Sequence, residues 1–283
     1  AEVRQLVDNG MFAGIREAEL RDPSVWARLM RGKYDVTFKT DSQGNHLKVK
    51  TRGVVNPRSL PVRERLRRKL RDGKPSSPTS SADSLWVHLA MIAVQGRRAS
   101  SFDVCKAFMH CMLKDGDHYY YLFSPSIAAV ALEIRPDLQG GLRPDGSLVV
   151  RLVGTVYGLP ESSLYFYNMF DSSLIKNGYL RSEADPCVYT TASGSRVELD
   201  VSKDALGNLH VDDCLGSSNS DAEHDKFRGF LGSTFKLGFT EQSLDQPGGI
   251  SHLGLHLSRD PVTGNISVGQ PGYETKLVDS HLP

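Results

Sequence analysis

The sequence predicts an α+β fold, in which short strands alternate with helices along one chain. Two observations support this class. Segments of strand-type composition, such as residues 119–123, lie between segments whose apolar residues recur at helical spacing, such as residues 221–231. The chain also contains no internal repeat and no heptad pattern, so solenoids and coiled coils are excluded.

Composition and charge limit the number of domains and the kinds of partner. The chain has 283 residues, of which 39% are hydrophobic and 24% charged, which is enough apolar material for one large or two small domains. Its formal net charge is +1, so any surface for a polyanion must be local. No apolar run approaches the roughly 20 residues that cross a bilayer, so no membrane partner is expected.

The cysteines and the chain ends give two further expectations. The four cysteines have no zinc-ligand spacing and are too few for a disulfide scaffold, so we expect free thiols in a reducing, intracellular setting. The chain opens at Ala1 and stops at Pro283, shortly after a helical pattern has begun, so we expect a piece of a longer protein.

The first third of the chain predicts two helices and a hairpin. Residues 2–9 form a helix that Gly10 closes, and a second helix starts at Pro23 and runs to Gly32. Residues 34–40 and 46–55 are predicted to be strands around a loop at 41–45.

The remaining predicted elements are a helix at 84–96, extended structure at 101–104, a turn or short helix at 106–113, a strand at 119–123, a loop at 135–147, a strand at 148–152, a helix at 158–177, strands at 197–201 and 208–215, a helix at 221–231, and a hairpin of 252–257 and 265–269.

Two basic segments are candidate contacts for phosphate. In the strand 46–55, Lys48, Lys50 and Arg52 alternate onto one face, which suits solvent, a triphosphate or a nucleic-acid backbone. Residues 58–74 are the most basic stretch, and Leu66 and Leu70 recur there at helical spacing. This stretch reads either as a solvated helix face or as a surface for a nucleic-acid backbone.

The adjacent acids Asp212 and Asp213 lie between short apolar runs, which is typical of two strands joined by a tight turn. Two carboxylates at such a turn repel each other unless a cation lies between them. The pair is therefore either an ordinary solvated turn or part of a divalent metal site that needs a third acid from elsewhere.

Six ordered motifs together resemble the reverse transcriptases of copia-type retrotransposons, over nearly the whole chain. They are 39–45 (KTDSQGN) with 50–52, 103–110 (DVCKAFMH), 150–152 (VRL) with 156–159 (VYGL), 179–189 (YLRSEADPCVY), 210–213 (HVDD), and 252–255 (HLGL) with 258–260. The resemblance implies a polymerase palm, an antiparallel sheet with packed helices, plus fingers and a largely missing thumb. Residues 1–96 would form the fingers and first palm helix, 97–240 the palm, and 241–283 the end of the palm and the start of the thumb or connection.

The resemblance implies an RNA-directed DNA polymerase that adds deoxynucleotides to a primer 3′ end. Asp103, Asp212 and Asp213 would be the catalytic acids and would bind two Mg²⁺ ions, or Mn²⁺, with the carbonyl of Val104 as an extra ligand. Phe108 would exclude a 2′-hydroxyl, unless it is an ordinary core aromatic. The other implied contacts are Lys50, Arg52 and Glu161 for the deoxynucleotide, and Arg63, Arg67, Arg68, Leu253 and Gly254 for nucleic acid.

The implied partners are a primed RNA or DNA template, deoxynucleotides, and the rest of a polyprotein with integrase and RNase H. The implied location is the cytoplasm, in a virus-like particle, and/or the nucleus.

Two departures from the family pattern bear on activity. His210 stands where the family has Tyr, and residues 160–164 read PESSL where it has Lys-Gln-Ala-Pro-Arg. Glu161 adds a negative charge and Leu164 removes a positive one, which weakens binding of a triphosphate. Three hypotheses follow: an active polymerase fragment, a catalytically decayed relic that only binds nucleic acid, and another two-metal palm enzyme such as a nucleotide cyclase.

Overall fold

The computed structural model describes residues 2–40, 46–61, 77–114, 119–203, 209–270 and 273–274. The chain divides into two compact units, of which unit 1 comprises residues 1–76 and 108–166 and unit 2 comprises residues 77–107 and 167–283. The predicted α+β class is confirmed. The division into fingers, palm and thumb is a functional one that these compact units do not test.

The described residues contain helices and strands in alternation. The helices are α1 (Glu2–Asp8), α2 (Pro23–Ala27), α3 (Ala82–Gln95), α4 (Pro125–Ile134), α5 (Ser162–Lys176) and α6 (Asp221–Thr234). The strands are β1 (Phe12–Ala13), β2 (Leu29–Thr40), β3 (His46–Asn56), β4 (Arg98–Val104), β5 (Tyr119–Phe123), β6 (Leu148–Leu152), β7 (Leu180–Arg181), β8 (Val188–Thr190), β9 (Arg196–Lys203), β10 (Leu209–Ser218), β11 (Phe239–Ser243), β12 (Ile250–His252), β13 (Leu255–Arg259) and β14 (Ile266–Gly269).

Unit 1 is built on one sheet with the strand order β1-β6-β5-β2-β3. Strands β2 and β5 run parallel, whereas the other neighbouring strands are antiparallel. The predicted helix from Pro23 to Gly32 is wrong in its second half: α2 ends at Ala27, and Leu29 already belongs to β2. The reason is tertiary, because Leu29 pairs with Tyr120 of β5, a partner that local spacing cannot reveal.

Two further predictions for unit 1 needed correction. The predicted loop 135–147 contains a short 3-10 helix, Pro136–Gly141, and α4 before it was not predicted at all. The helix predicted from Gly158 begins only at Ser162, because Gly158 adopts a φ of +85° that helices exclude.

Unit 2 contains a six-stranded antiparallel sheet with the order β11-β4-β10-β9-β8-β7, and a separate sheet of β12, β13 and β14. Leu85, Leu89 and Ile92 of α3 form an apolar core with Leu215 of β10 on one face. On the other face, Phe102 of β4 meets Phe227 of α6 edge-on, with ring centroids 5.2 Å apart. The sheet is therefore held between two helices, which fixes its strands rigidly.

Helix α3 shows how local sequence sets these boundaries. The side chain of Ser81 accepts a hydrogen bond from the backbone of Ser84 and caps the N-terminus, while Gly96 ends the helix in the left-handed conformation at φ +58°. Asp185, buried in a loop before β8, accepts hydrogen bonds from the backbone N–H of Ser81 and from Ser84 Oγ, at 2.9 and 2.6 Å. These bonds fix the start of α3 against the sheet.

Candidate active site

Asp103 and Asp213 lie opposite each other on neighbouring strands of unit 2. They are register partners in the antiparallel pair of β4 and β10, and directly opposed residues in such a pair have Cα atoms about 4.5–5.5 Å apart. Opposed side chains project to the same face, so both carboxylates lie on one face of the sheet. Asp103 is exposed and Asp213 is half-buried. Two acids that are distant in sequence therefore meet at one point of the fold.

The register extends this row of polar positions to both sides. Thr240 of β11 is the partner of Asp103, and Asp200 of β9 is the partner of Asp213. Three of the four positions in the row carry acids. Asp200 was missed from the sequence, because a strand pattern shows which residues share a face but not which residues oppose each other across strands. The alternation of two acids, Glu198 and Asp200, with apolar residues in this strand was the sequence signal that could have identified Asp200.

The predicted tight turn at Asp212 and Asp213 is wrong. Strand β10 continues through both residues, and the apolar runs that flank them belong to one strand. The pairing with β9 is irregular at this point, because Val211 and Asp212 together face the single residue Val201. Such β-bulges bend a strand, re-aim its side chains and are common beside active sites. The side chain of Asp212 lies outside the described structure.

The segment after Asp103 contains a strained backbone residue. Val104, the last residue of β4, is fully buried and pairs with Phe239 of β11. Lys106 follows with a φ of +54°, a conformation that is uncommon for residues other than glycine and that is found preferentially at functional sites. The predicted role of the Val104 carbonyl as a metal ligand stays a prediction.

Phe108 and Glu161 belong to unit 1, and both are buried. The ring of Phe108 is 8% exposed and packs edge-on against Tyr157, with centroids 5.0 Å apart. Its carbonyl oxygen accepts a hydrogen bond from Thr155 Oγ1 at 2.5 Å. The carbonyl of Glu161 accepts from the backbone N–H of Tyr165 at 3.0 Å, so Glu161 caps the start of α5. An acid at this position interacts favourably with the helix dipole.

Leu253 and Gly254 form the two-residue turn between β12 and β13. Both have positive φ values, +51° and +78°, as a type I′ hairpin turn requires. Leu253 is partly buried against the apolar core that α3 shares with β10. The turn therefore carries strain at a non-glycine residue within a motif that the sequence had identified.

The predicted cationic contacts are described only in part. Lys50 and Arg52 lie in β3 opposite Thr37 and Asp35, but their side chains are outside the described structure. Arg63, Arg67 and Arg68 fall in the range 62–76, which is also outside it.

The donors at the candidate site suit a hard divalent cation. Carboxylate oxygens are the ligands that Mg²⁺ prefers, and Asp103 and Asp213 present two of them on one face. Among the side chains that the structure describes, no group of three or more His, Cys, Asp or Glu is arranged to hold a metal ion. The two described carboxylates thus fit the expected ion in chemistry, and Asp212 as the third ligand stays a prediction.

The opposite ends of these strands enclose a buried polar cluster, which we define as His88, Arg196, Glu198 and Ser217. His88 Nε2 lies 2.8 Å from Ser217 Oγ, and its Nδ1 lies 3.3 Å from Glu198 Oε2. Arg196 Nη2 lies 3.6 Å from the same carboxylate. Burial, together with the nearby charge of Arg196, lowers the pKa of His88 well below its usual range, so the ring is neutral.

Two further observations concern the cysteines and the helices. Cys105, Cys111, Cys187 and Cys214 are all free thiols, and burial raises the pKa of Cys111 to about 12. Within the described ranges, no helix combines the length and the apolar character that crossing a membrane requires.

Comparison with solved structures gives distant likenesses. No protein-family model matches the chain, and no curated protein matches it. The chain is similar to a solved structure of apo telomerase from Candida tropicalis truncated from the C-terminal domain, with a TM-score of 0.37 and 10% sequence identity. The match covers 84% of this chain and 55% of the telomerase chain, so this chain spans about half the length of that one.

Proposed function

We propose that this chain adds deoxynucleotides to a primer 3′ end on a nucleic-acid template, as a reverse transcriptase fragment of a copia-type retrotransposon polyprotein. One observation carries the proposal: Asp103 and Asp213, which belong to separate motifs of the resemblance, are register partners on adjacent strands. Without this register the motifs would be a sequence pattern only. With it, two of the three expected acids share one face of a rigid sheet.

The chemistry of nucleotidyl transfer explains why acids are needed there. The reaction requires in-line alignment of the attacking hydroxyl and the leaving pyrophosphate, and stabilisation of the negative charge that develops. Carboxylates alone repel a triphosphate, so Asp103 and Asp213 suit this reaction only as ligands of cations. Two bound Mg²⁺ ions, or Mn²⁺ ions, would lower the pKa of the hydroxyl and neutralise the leaving group. Asp103, Asp212 and Asp213 would hold these ions.

The exposure of Asp103 favours a catalytic over a structural ion. A structural site is closed by protein ligands, whereas a catalytic site keeps positions open for substrate. Asp103 is exposed and lies one residue before β4 ends at Val104. Oxygen atoms of a substrate could therefore complete the coordination.

The remaining roles belong to the same proposal. Phe108 would select against ribonucleotides, and Lys50, Arg52 and Glu161 would lie near the incoming deoxynucleotide. Primed RNA or DNA would be the partner, and integrase and RNase H would belong to the same polyprotein, in a cytoplasmic particle or the nucleus. The palm-and-fingers description of the two units is part of this proposal.

The direct test is primer extension with the full chain. We expect labelled deoxynucleotide to be incorporated on a primed RNA or DNA template in the presence of Mg²⁺ or Mn²⁺, and to be lost in Asp103→Asn. Glu183→Gln is the matched control, because Glu183 is an exposed acid of the same unit, in the loop between β7 and β8. Equal extension by Asp103→Asn and the control would contradict the proposal. Product formed without any template would instead indicate a nucleotide cyclase or a related enzyme.

A second candidate function is nucleic-acid binding without catalysis. The observation that favours it is Glu161, an acid that is only 8% exposed at a position where the resemblance implies a neutral residue. Salt-dependent binding of a primer–template, with no extension under Mg²⁺ or Mn²⁺, would select this candidate. If Glu161 and Leu164 cause the loss of activity, the double variant Glu161→Gln and Leu164→Arg, which introduces the residues of the family pattern, should recover primer extension.

A further inference from the structure

Unit 1 contains a pocket that the proposed nucleotidyl transfer does not use. Its volume is about 390 Å³, and we call it the arginine pocket, defined by Arg31, Tyr121, Ser124, Arg143, Asp145 and Ser147. Ligand sites of proteins fall in the range of roughly 300–1,000 Å³, so the arginine pocket is large enough for a small organic molecule.

The pocket carries a net positive charge and a fixed arginine. Arg143 is held by Asp145 at 3.0 Å, by Ser147 Oγ at 3.0 Å, and by the ring of Trp26, whose centroid is 5.2 Å from the guanidinium carbon. Arg31 is exposed at the same pocket. Arg31 and Arg143 together with Asp145 give the pocket a net charge of +1. Because the guanidinium of Arg143 is already held in place, it loses little conformational freedom when it binds an anion.

The start of helix α4 adds a second source of positive potential. Ser124 is the N-cap residue, yet its side chain makes no capping hydrogen bond, and Pro125 follows it at the first helical position. The dipole of a helix attracts anions to its N-terminus. Pro125 itself has no N–H, and the N–H of Ile127 already donates to the Ser124 carbonyl at 3.0 Å, so the attraction here comes from the dipole. The arginine pocket thus combines two side-chain cations with a helix start that no side chain caps.

The walls of the pocket suit a flat apolar group beside the anion. Tyr121 and Phe123 line it edge-on to each other at 5.0 Å, with both residues more than 90% buried, and the exposed Pro125 adds further apolar surface. Gly32 of β2 lies so close to Tyr121 that a Cβ atom on Gly32 would be 1.5 Å from the Tyr121 hydroxyl oxygen. Strand β2 and the Tyr121 ring are therefore in close contact and form one side of the pocket. A bare phosphate ion would leave most of the 390 Å³ unfilled.

We propose that the arginine pocket binds a nucleoside monophosphate or a phosphate monoester of similar size, with the phosphate at Arg31, Arg143 and the start of α4. The ring system lies against the wall formed by Tyr121 and Phe123. This site is composed only of unit 1 residues and needs neither Asp103 nor Asp213. It stands or falls separately from the polymerase proposal.

Trp26 provides the readout, because the guanidinium of Arg143 lies over its ring. In a Trp86→Phe background, Trp26 is the remaining tryptophan of the chain. We expect AMP to change its fluorescence saturably and to bind more tightly than inorganic phosphate or adenosine, since only AMP fills both halves of the pocket. Titration calorimetry on the unmodified chain should give the same affinity.

Two variants and a control test the assignment. Arg31→Ala should weaken AMP binding by about tenfold, the effect of one lost charge-assisted contact. Asp145→Asn should tighten it, because it removes the competing negative charge and keeps the acceptor for the backbone N–H of Ser147. Arg21→Ala is the control, because Arg21 is an exposed arginine of the same unit that does not line the pocket.

Three results would overturn this assignment. They are the absence of saturable AMP binding, equal effects of Arg31→Ala and Arg21→Ala, and weaker binding in Asp145→Asn with an unchanged melting temperature. Binding of a single-stranded oligonucleotide that depends on Arg31, without binding of AMP, would also overturn it and would assign the pocket to nucleic acid.

Discussion

The two ends of strands β4 and β10 carry polar side chains of opposite kinds. At one end, Asp103 and Asp213 are register partners with the same charge, and Asp103 is exposed. At the other end, Ala99 pairs with Ser217, whose hydroxyl lies 2.8 Å from His88 Nε2 within the buried polar cluster. The same sheet therefore supports two acids that repel each other and a cluster whose members are complementary.

This difference concerns how the negative charges at each end of the strands are compensated. Glu198 is fully buried and faces the guanidinium of Arg196, so its charge is compensated inside the protein. Two opposed aspartates gain no stability from each other and lose some through repulsion. A cation between the two carboxylates would remove this repulsion.

The largest expected effect separates activity from stability at the acid end. Asp213→Asn should lower primer extension by at least about 100-fold, because under the proposed function it would remove a ligand of the catalytic metal ions. It should leave the free energy of unfolding unchanged or slightly higher, since it removes a like-charge repulsion. Extension assays and urea unfolding on the same preparation measure both. A large loss of stability would mean that Asp213 is structural, and the comparison would fail.

The buried polar cluster should respond in the opposite way. Glu198→Ala should lower the free energy of unfolding by about 3 kcal/mol, because it leaves the largely buried Arg196 without its compensating charge. Glu183→Ala, on the exposed loop between β7 and β8, should change it by less than about 0.5 kcal/mol. Urea unfolding of both variants decides the matter, and equal small effects would show that the cluster contributes nothing.

The pH dependence of stability tests the anchoring of α3 beside this cluster. Burial raises the pKa of Asp185, but hydrogen bonds from Ser84 and from the backbone of Ser81 and Cys187 outweigh it and lower the pKa below its usual value of 3.8. A lowered pKa contributes stability above the unfolded value that is lost as the pH falls through the folded one. The free energy of unfolding should therefore decrease below about pH 4. The decrease should be smaller in Asp185→Asn, and an identical decrease would refute this anchoring role.

The smallest effect is expected at an exposed ion pair near the cluster end of β4. Arg98 Nη1 lies 2.5 Å from Asp221 Oδ1, with side chains 36% and 78% exposed. Exposed pairs contribute little because water screens them. Arg98→Ala should change the free energy of unfolding by about 0.5 kcal/mol or less, and a loss of several kcal/mol would show that exposure does not separate the two kinds of polar residue.

Elements that nearby residues define were predicted well, whereas elements that depend on contacts between distant strands were not. Strand β5 was predicted with both bounds, since its aromatic residues define it locally. The second half of the helix after Pro23 was wrong because β5 recruits Leu29 into a sheet. The turn at Asp212 and Asp213 was wrong because β10 pairs with β9 on both sides of the irregularity at Val211 and Asp212.

The candidate site shows the same limit. Motif order identified Asp103 and Asp213, and the structure makes them register partners, while their catalytic role stays a prediction. Asp200 could not be found in this way, because its position opposite Asp213 depends on an irregularity in the ladder. Hydrophobic patterns specify faces, whereas register depends on contacts between distant strands.

The central claim, that Asp103 and Asp213 serve one shared cation, is tested most directly by Mn²⁺ binding in a double-mutant cycle. Electron paramagnetic resonance would measure the Mn²⁺ affinity of the unmodified chain, of Asp103→Asn, of Asp213→Asn and of the double variant. If the two carboxylates hold the same ion, each single substitution should weaken binding nearly as much as both together. Independent, additive losses, or no loss at all, would contradict the claim.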